Sequence, residues 1–249
     1  SAPEARAFLL RALDDPDPYL RAAAARAAPD VAELRPALLR ATRDSEVRVR
    51  EASVLRSGEL GLAAAVPDLR ERLQRDAWPL VRVAAAQALS RYRDVPDLDG
   101  VLAAALSDPA PSVRAASVRA LGRRGASGSV ALILERFKDP AEAAPVRAGA
   151  AEALGELCAT SALEPLSAAL QRMLGERPAA DDLLVGTAAI SALGRLHPPD
   201  LEQRFAPLLG KESPPVLRHL ALVAGVARPH CASGKVVVPS SASSEREQR

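Results

Sequence analysis

Aromatic residues are scarce in this sequence, which contains one tryptophan, two tyrosines and three phenylalanines in 249 residues. A surface that stacks on nucleic-acid bases uses aromatic rings, so such a surface is not expected here. The apolar residues, which make up 48% of the chain, are mainly alanine, leucine and valine. Alanine and leucine are strong helix formers, and the small alanine side chain lets helices approach closely. The composition therefore predicts an all-helical fold with closely packed helices.

Long apolar runs are absent, and no stretch approaches the roughly 20 residues that a membrane-spanning helix needs. The two cysteines, Cys158 and Cys231, are too few for a disulfide framework and match no metal-ligand spacing. We interpret Cys158 as a small buried apolar residue and Cys231 as a free residue near the C-terminus. We expect a cytoplasmic location, but the chain begins with Ser1, so a removed export signal is left open.

Lysine is nearly missing, since only three of the 33 basic residues are lysine and the others are arginine. The net charge is +2, so the chain is not expected to bind nucleic acid through its overall charge. The arginine excess has two explanations, namely codon usage in a GC-rich bacterial genome and recognition of carboxylate or phosphate groups by guanidinium. The spread of the arginines along the whole chain favours the first explanation.

Motifs for catalysis and metal binding are also missing. The sequence has no cluster of metal ligands, no glycine-rich phosphate loop and no Ser/His/Asp grouping. His197 precedes two prolines and is interpreted as a helix-ending residue, whereas His219 lies at an outward helix position where it could touch a ligand. We therefore predict no catalytic residue, no metal and no cofactor, and we expect that the chain is not an enzyme.

What the sequence does contain is one repeated phrase, V-R-x-x-A-A-x-A-L-G with substitutions. Five copies have an arginine at the second place: Arg21, Arg48, Arg82, Arg114 and Arg147. A sixth copy has Gly186 at this place, and a weaker seventh copy has Arg218. Successive copies are 27 to 39 residues apart, a spacing that indicates a repeat array.

Each copy follows a turn rich in aspartate and proline, such as SDPAP at residues 107–111. Aspartate ahead of a helix can cap its free amide groups, and proline fits the first turn. Upstream of each turn, apolar residues recur at three- and four-residue steps, which is typical of a helix with one buried stripe. Each repeat is therefore predicted to consist of helix A, a tight turn and helix B, and seven repeats give about fourteen helices.

These features resemble HEAT repeats, in the short bacterial form called PBS-lyase HEAT-like. The likeness covers Pro3 to Ala227 and rests on the repeated phrase, the aspartate turn and the prolines of the A helices, which are Pro36, Pro67, Pro165 and Pro207. Tetratricopeptide repeats need more aromatics, and ankyrin repeats need a T-P-L-H turn that the sequence lacks. The resemblance implies an all-α, right-handed α-solenoid of about seven two-helix repeats at residues 1–227. Residues 228–249 are predicted to be a Ser-rich linker or disordered tail.

The resemblance also implies that the five repeated arginines are structural and form a ladder with the aspartates of the turns. Helix B then lines a concave groove, and its variable outward positions are the candidates for partner binding. These candidates are Arg26, Arg50, Arg91, Arg119, Arg123 and Arg124. We predict a non-enzymatic scaffold that binds an acidic or extended segment of a protein partner in this groove. A solvated face without a single ligand is an equally weighted alternative.

Three enzyme families with HEAT-like repeats provide the alternative functions. Deoxyhypusine hydroxylase needs repeated His-Glu pairs, but no histidine here is followed by glutamate. Phycobilin lyases resemble the chain in repeat type and offer no short motif to locate. An alkylpurine glycosylase would need a DNA-binding face, for which Trp78, Tyr92, Arg91 and Arg123 are the available residues. We favour a simpler role for Trp78, which is to fill the gap left by a long turn, over an exposed anchor for a partner.

Overall fold

The computed structural model describes residues 2–226 and Cys231, and all regular structure in this part of the chain is helical. The predicted all-α fold of seven two-helix repeats is confirmed. The chain divides into two compact units, the first ending at Arg124 and the second beginning at Gly125. The single domain expected at 1–227 is therefore described as two parts. Apart from Cys231, the predicted tail at 228–249 lies outside the described residues.

The first unit contains four consecutive helix pairs. Its helices are α1 (Ala2–Leu13), α2 (Pro18–Ala27), α3 (Arg35–Ala41), α4 (Val47–Glu59), α5 (Val66–Arg75), α6 (Pro79–Leu89), α7 (Leu98–Ala104) and α8 (Pro111–Arg124). Odd-numbered helices are the A helices, and each packs on the B helix that follows it. The B helices α2, α4, α6 and α8 also pack on one another in order, so they form a continuous layer.

The second unit contains three further pairs, built in the same way. Its helices are α9 (Val130–Lys138), α10 (Ala144–Glu156), α11 (Leu163–Met173), α12 (Ala180–Leu196), α13 (Leu201–Leu209) and α14 (Pro215–Val226). The B helices α10, α12 and α14 again pack in order. Helix α12 is the longest helix of the chain that the structure describes, with 17 residues.

The turns before the B helices are shaped by aspartate. In each of five turns the carboxylate accepts a hydrogen bond from the backbone amide two residues later. The pairs are Asp15 with Asp17, Asp44 with Glu46, Asp76 with Trp78, Asp108 with Ala110 and Asp139 with Ala141. Such a bond closes a local turn and leaves the second carboxylate oxygen available for another donor. Proline then fits the first helical turn, as Pro79 does in α6.

Glycine at the last place of the repeated phrase sets the distance between neighbouring B helices. A Cβ atom added at Gly58 in α4 would lie 2.5 Å from Ala88 Cβ in α6. The same holds in the second unit, where a Cβ at Gly155 would lie 2.8 Å from Ala192 Cα. No side chain fits at these distances, so the phrase uses glycine to bring helix backbones into direct contact.

The two cysteines are joined, which corrects the interpretation of Cys231 as free. Cys158, just beyond α10, forms a disulfide with Cys231, and their Cα atoms are 5.5 Å apart. Cys158 is buried as expected, at a residue with a positive φ of 54°. The bond closes a loop that contains α11 to α14, so it ties the chain beyond the last helix back to the first B helix of the second unit.

Candidate functional site

The most regular polar feature of the first unit is a series of arginine–aspartate contacts between neighbouring turns. Arg21 Nε lies 2.8 Å from Asp44 Oδ2, and its Nη2 lies 2.9 Å from Asp44 Oδ1. Arg21 Nη1 donates to the carbonyl oxygens of Asp15 at 2.7 Å and Pro16 at 3.0 Å. One guanidinium therefore joins the turn of its own repeat to the carboxylate of the next repeat.

The same geometry recurs twice. Arg50 contacts both carboxylate oxygens of Asp76 at 2.8 and 3.1 Å, and it donates to the carbonyl oxygen of Asp44 at 2.8 Å. Arg82 contacts both oxygens of Asp108 at 2.7 and 2.9 Å, and it donates to the carbonyl oxygen of Asp76 at 2.8 Å. Asp44 and Asp76 thus each accept from one repeat arginine through the carboxylate and from the next through the carbonyl oxygen, and Asp76 also accepts from Arg72 at 3.2 Å. We call this series the arginine ladder.

The ladder carboxylates are held in the charged form. Burial raises the pKa of Asp108, but hydrogen bonds from Arg82 and from the Ala110 amide outweigh burial and leave this pKa below its ordinary value. The pKa values of Asp44 and Asp76 are lowered in the same way. The pKa of Arg82 is raised, because its hydrogen bond to Asp108 exceeds the effect of burial. The rungs are therefore ion pairs at neutral pH.

Arg48 was predicted to be a ladder arginine and Arg50 a groove arginine, but the structure places Arg50 in the ladder and Arg48 on the surface. Arg50 is buried in the ladder and is not on an open groove. Arg48 is exposed, and its guanidinium lies 5.8 Å from the centre of the Tyr19 ring. The stretch VRVRE contains two V-R pairs, Val47-Arg48 and Val49-Arg50. The second pair is the one that begins the repeated phrase. VREASVLRSG from Val49 matches VRAASVRALG from Val113 at six places, including the final glycine.

The remaining repeat positions show where the ladder changes. Arg114 Nη1 donates to the carbonyl oxygens of Asp108 and Pro109 in its own turn. In the second unit, Arg147 Nε donates to the Phe137 carbonyl oxygen at 3.3 Å. At the next repeat, a Cβ on Gly186 would lie 2.5 Å from Met173 Cβ, so Met173 fills the space that a side chain would need.

The six predicted groove arginines fall into different environments. Arg26 is exposed and pairs with Glu51 at 3.1 Å. The Arg124 side chain is 4% exposed, pairs with Asp99 at 2.6 Å, and donates to the carbonyl oxygens of Tyr92 and Val95. Arg124 therefore fixes the loop between α6 and α7, which corrects its predicted placement on the groove. Together with Arg50, it is one of two candidates that the structure places in the packed interior.

Arg91, Arg119 and Arg123 remain on the surface. Arg91 follows α6 and is exposed, Arg119 in α8 is half-buried, and Arg123 at the end of α8 is exposed. We call these three residues with Gln87 the B-helix patch. Neither α6 nor α8 contains an aspartate or glutamate. Within residues 2–226 and Cys231, no ion pair involves Arg91 or Arg123.

The two aromatic residues considered for a base-binding face have opposite environments. Tyr92 is buried, and its hydroxyl contacts the carbonyl oxygens of Ser57 at 3.0 Å and Leu62 at 3.1 Å. Burial raises the pKa of Tyr92 to about 12. Tyr92 is therefore a packing residue and offers no ring to a ligand. Trp78 is 56% exposed, so the interpretation that it fills a gap is wrong.

Metal sites and membrane-spanning helices are both absent from the part of the chain that the structure describes. No three His, Cys, Asp or Glu side chains there lie close enough to hold a metal ion. No described helix combines the length and apolar character that crossing a membrane requires.

Solved structures resemble the chain, among them the following two. One is the complex of CpcE and CpcF of phycocyanin lyase from Nostoc sp. PCC7120, with a TM-score of 0.55, 23% identity, and coverage of 87% of this chain and 85% of the other. The second is human deoxyhypusine hydroxylase in complex with glycerol, with a TM-score of 0.42, 19% identity, and coverage of 87% and 93%. A search of curated proteins finds no match to the sequence.

The CpcE/CpcF neighbour contradicts the expectation that the chain is not an enzyme. That expectation assumed that an array of helix pairs offers a surface without chemistry, whereas this neighbour belongs to a lyase. At these identities the likeness concerns the fold, so it assigns no catalytic residue here.

The sequence itself places the chain in a family. The model for HEAT repeats matches residues 5–90 and 98–176, which together make up more than half of the chain. Apart from the start of α1 and the turn at 91–97, these ranges contain all four helix pairs of the first unit, and they extend through α11 of the second. The chain belongs to the HEAT-repeat family.

Proposed function

We propose that the chain binds an acidic segment of a protein partner on the B-helix patch of its first unit. One observation carries this proposal, namely that Arg91 and Arg123 are exposed while the two adjoining B helices contain no acidic residue. Several other exposed arginines of the same unit do have carboxylate partners, such as Arg35 with Asp30 at 2.7 Å. Arg91 and Arg123 therefore carry positive charge that no ion pair among the described residues compensates.

The chemistry of the patch favours a carboxylate-bearing segment. Guanidinium groups bind carboxylates through paired hydrogen bonds, and a cluster of one charge sign raises the rate at which an oppositely charged partner associates. Gln87 adds an amide that can donate to and accept from a peptide backbone. Arg119 and Arg123 lie on α8 and Arg91 follows the neighbouring helix α6, so an extended segment is the shape that reaches all three.

The fold supports a protein as the partner. Arrays of helix pairs present long surfaces that suit macromolecules, and the CpcE/CpcF neighbour was solved as a complex of two proteins. A second candidate function follows from the same neighbour, namely that the chain is a subunit of an enzyme complex. The proposed acidic segment then belongs to the other subunit, so the patch has the same role in both candidates.

The cytoplasmic location stays a prediction, and one observation weighs against it. Disulfides persist in oxidising compartments and are rare in the cytosol, and the structure joins Cys158 to Cys231. We propose on this basis that the protein works in an oxidising compartment. Thiol counting on protein isolated under acid quench tests this, because a cytosolic protein would show both thiols free.

Charge reversal tests the binding surface. The double variant Arg91→Glu, Arg123→Glu should bind the blocked peptide Ac-(Glu-Ala)5-NH2 at least about tenfold more weakly than the unchanged protein at low salt. The matched control is Arg11→Glu, Arg75→Glu, which makes the same charge change at exposed A-helix positions. Equal weakening by both double variants, or equal binding of a Gln-Ala peptide, would mean that the patch is an ordinary solvated face. Tighter, steeply salt-dependent binding of duplex DNA would instead favour a nucleic-acid partner.

A further inference from the structure

The second unit contains an open pocket of about 520 Å³ beside the repeat arginine that lacks a carboxylate. Its walls are lined by Phe137, Lys138, Pro140, Arg147, Pro165, Ala168, Arg172 and Asp182. Three of these residues are cationic and one is acidic. Arg172 Nε lies 3.7 Å from Asp182 Oδ1, so the acidic group is already opposite one of the cations. Lys138 and Arg147 are left to face the pocket without an acidic neighbour on its wall.

The first unit has a pocket at the equivalent place, and its charge is reversed. This pocket measures about 400 Å³ and is lined by Asp14, Asp15, Arg21, Arg40 and Asp44, among other residues. There the Asp44 carboxylate accepts hydrogen bonds from both Nε and Nη2 of Arg21. When the turn of the next repeat supplies an aspartate, the repeat arginine therefore binds its carboxylate.

The sequence explains why the second unit has no such aspartate. In the first unit the ladder aspartate lies five residues before the valine of the phrase, as Asp108 lies before Val113. Five residues before Val185 the chain has Ala180, which is the first residue of helix α12. Helix α12 thus begins where the other repeats form the aspartate turn, and the carboxylate of the rung is lost.

We infer that the pocket beside Arg147 is a binding site for a carboxylate group of a protein or peptide ligand, which takes the place of the missing ladder aspartate. The Nη1 and Nη2 groups of Arg147 make no hydrogen bond among the described residues, so they are available as a fork for two carboxylate oxygens. Lys138 supplies further positive charge, and Arg172 lies on the same wall opposite Asp182. The apolar walls formed by Phe137 and Pro165 suit the short side chain and backbone that carry the carboxylate.

This site is separate from the B-helix patch, because Arg147 belongs to the second unit and faces a turn. A failure of the proposed function therefore does not affect this inference. Carboxylate is preferred over phosphate because the same arginine position binds a carboxylate in each of the three complete rungs of the first unit.

The experiment uses a peptide copied from a turn of the chain itself. The blocked peptide Ac-Ser-Asp-Pro-Ala-Pro-NH2 has the sequence of residues 107–111, in which Asp108 occupies the ladder of the first unit. Calorimetric titration of the intact protein at low ionic strength should give a Kd of about 1 mM or lower. The peptide with asparagine in place of aspartate should bind at least about tenfold more weakly, because it lacks the charge.

Variants locate the site. Arg147→Gln should weaken binding of the aspartate peptide about tenfold or more, and Arg172→Gln, at an exposed position, about two- to fivefold. Arg147→Lys should fall between Arg147→Gln and the unchanged protein, because it keeps the charge and loses the fork. The matched control Arg75→Gln, at an exposed A-helix position of the first unit, should leave the Kd unchanged. Circular dichroism verifies that each variant is folded, and Arg172→Gln alone decides the location if Arg147→Gln is unfolded.

Three results would overturn the inference. Equal binding of the aspartate and asparagine peptides would show that the carboxylate is not what the protein recognises. An unchanged Kd in Arg172→Gln and in folded Arg147→Gln would place the site elsewhere. Inorganic phosphate that competes with the peptide at a lower concentration than acetate and succinate would make this a phosphate site and not a carboxylate site.

Discussion

The guanidinium of Arg82 and the carboxylate of Asp108 meet through two parallel hydrogen bonds, with Nε 2.7 Å from Oδ2 and Nη2 2.9 Å from Oδ1. Their side chains are only 11% and 10% exposed. A paired contact of this kind between two repeats resists both rotation and sliding of one turn against the next. The ladder is thus a structural part of the array, and its arginines are not free to bind a partner.

Arg82→Ala should lower the free energy of unfolding by about 3 kcal/mol, because it leaves the largely buried Asp108 carboxylate without its partner. The control is Arg35→Ala, which breaks the exposed pair with Asp30 and should cost no more than about 1 kcal/mol. Urea unfolding followed by circular dichroism measures both values. Equal losses would show that burial of the ladder contributes nothing.

The ladder also makes stability depend on pH in a defined direction. The pKa of Asp108 is lowered by folding, so its contribution is complete above the unfolded value of about 3.9 and is lost as the pH falls below it. Asp108→Asn should therefore be less stable than the unchanged protein at pH 7, and this difference should shrink below about pH 4. Asp94→Asn, at an exposed position, should show no such convergence. Urea midpoints between pH 3 and pH 7 provide the measurement, and a constant difference would contradict the assignment.

Arg50 and Arg48 should differ sharply, although both follow a valine. Arg50→Ala removes a buried rung and should cost about 3 kcal/mol. Arg48→Ala removes an exposed contact with the Tyr19 ring and should cost about 1 kcal/mol or less. Thermal unfolding of the two variants side by side distinguishes them, and a larger loss for Arg48→Ala would restore the register first predicted from the sequence.

The repeats could be predicted because the phrase recurs with its apolar face intact, but the register of one copy could not. Both Val47 and Val49 precede an arginine, and the distances to Asp44 and Gly58 distinguish them. That glycine was a usable signal, since Gly58 and Gly122 end their copies at the same place. Arg124 gave no such signal, because its contacts lie in a loop whose path the helix periodicity does not determine.

Whether a side chain is exposed or buried could be predicted from the sequence only for residues within helices. Trp78 lies in a turn, where neither a helix period nor an alternation indicates which way a side chain points. The disulfide was missed for a similar reason, since Cys158 and Cys231 are 73 residues apart and pair through the fold alone. Predicting the pocket beside Arg147 would have required two facts, namely that the turn aspartate is missing and that α12 begins early. The sequence shows only the missing aspartate.

Gly58→Ala should destabilise the first unit by about 1–3 kcal/mol, because its Cβ would lie 2.6 Å from the Ala88 Cα atom and the helices must separate. Gly100→Ala is the matched control, since Gly100 is also helical and a Cβ there meets nothing within 4 Å. It should instead stabilise the protein by up to about 1 kcal/mol, because alanine loses less backbone entropy on folding. The two substitutions should thus shift the urea midpoint in opposite directions. Shifts of the same sign would contradict the backbone contact between α4 and α6.

Reduction of the disulfide should weaken the second unit. Opening the bond between Cys158 and Cys231 frees a loop of more than seventy residues in the unfolded chain, and the expected loss is about 2–4 kcal/mol. Thermal unfolding with and without a phosphine reductant measures the loss, and Cys231→Ser should be as unstable as the reduced protein and insensitive to the reductant. Maleimide labelling of the denatured, unreduced protein should find no reactive thiol, whereas two labelled thiols would show that the pair does not form. Cys158 and Cys231 belong to the second unit, so loss of the bond should leave the ladder of the first unit and the effect of Arg82→Ala unchanged.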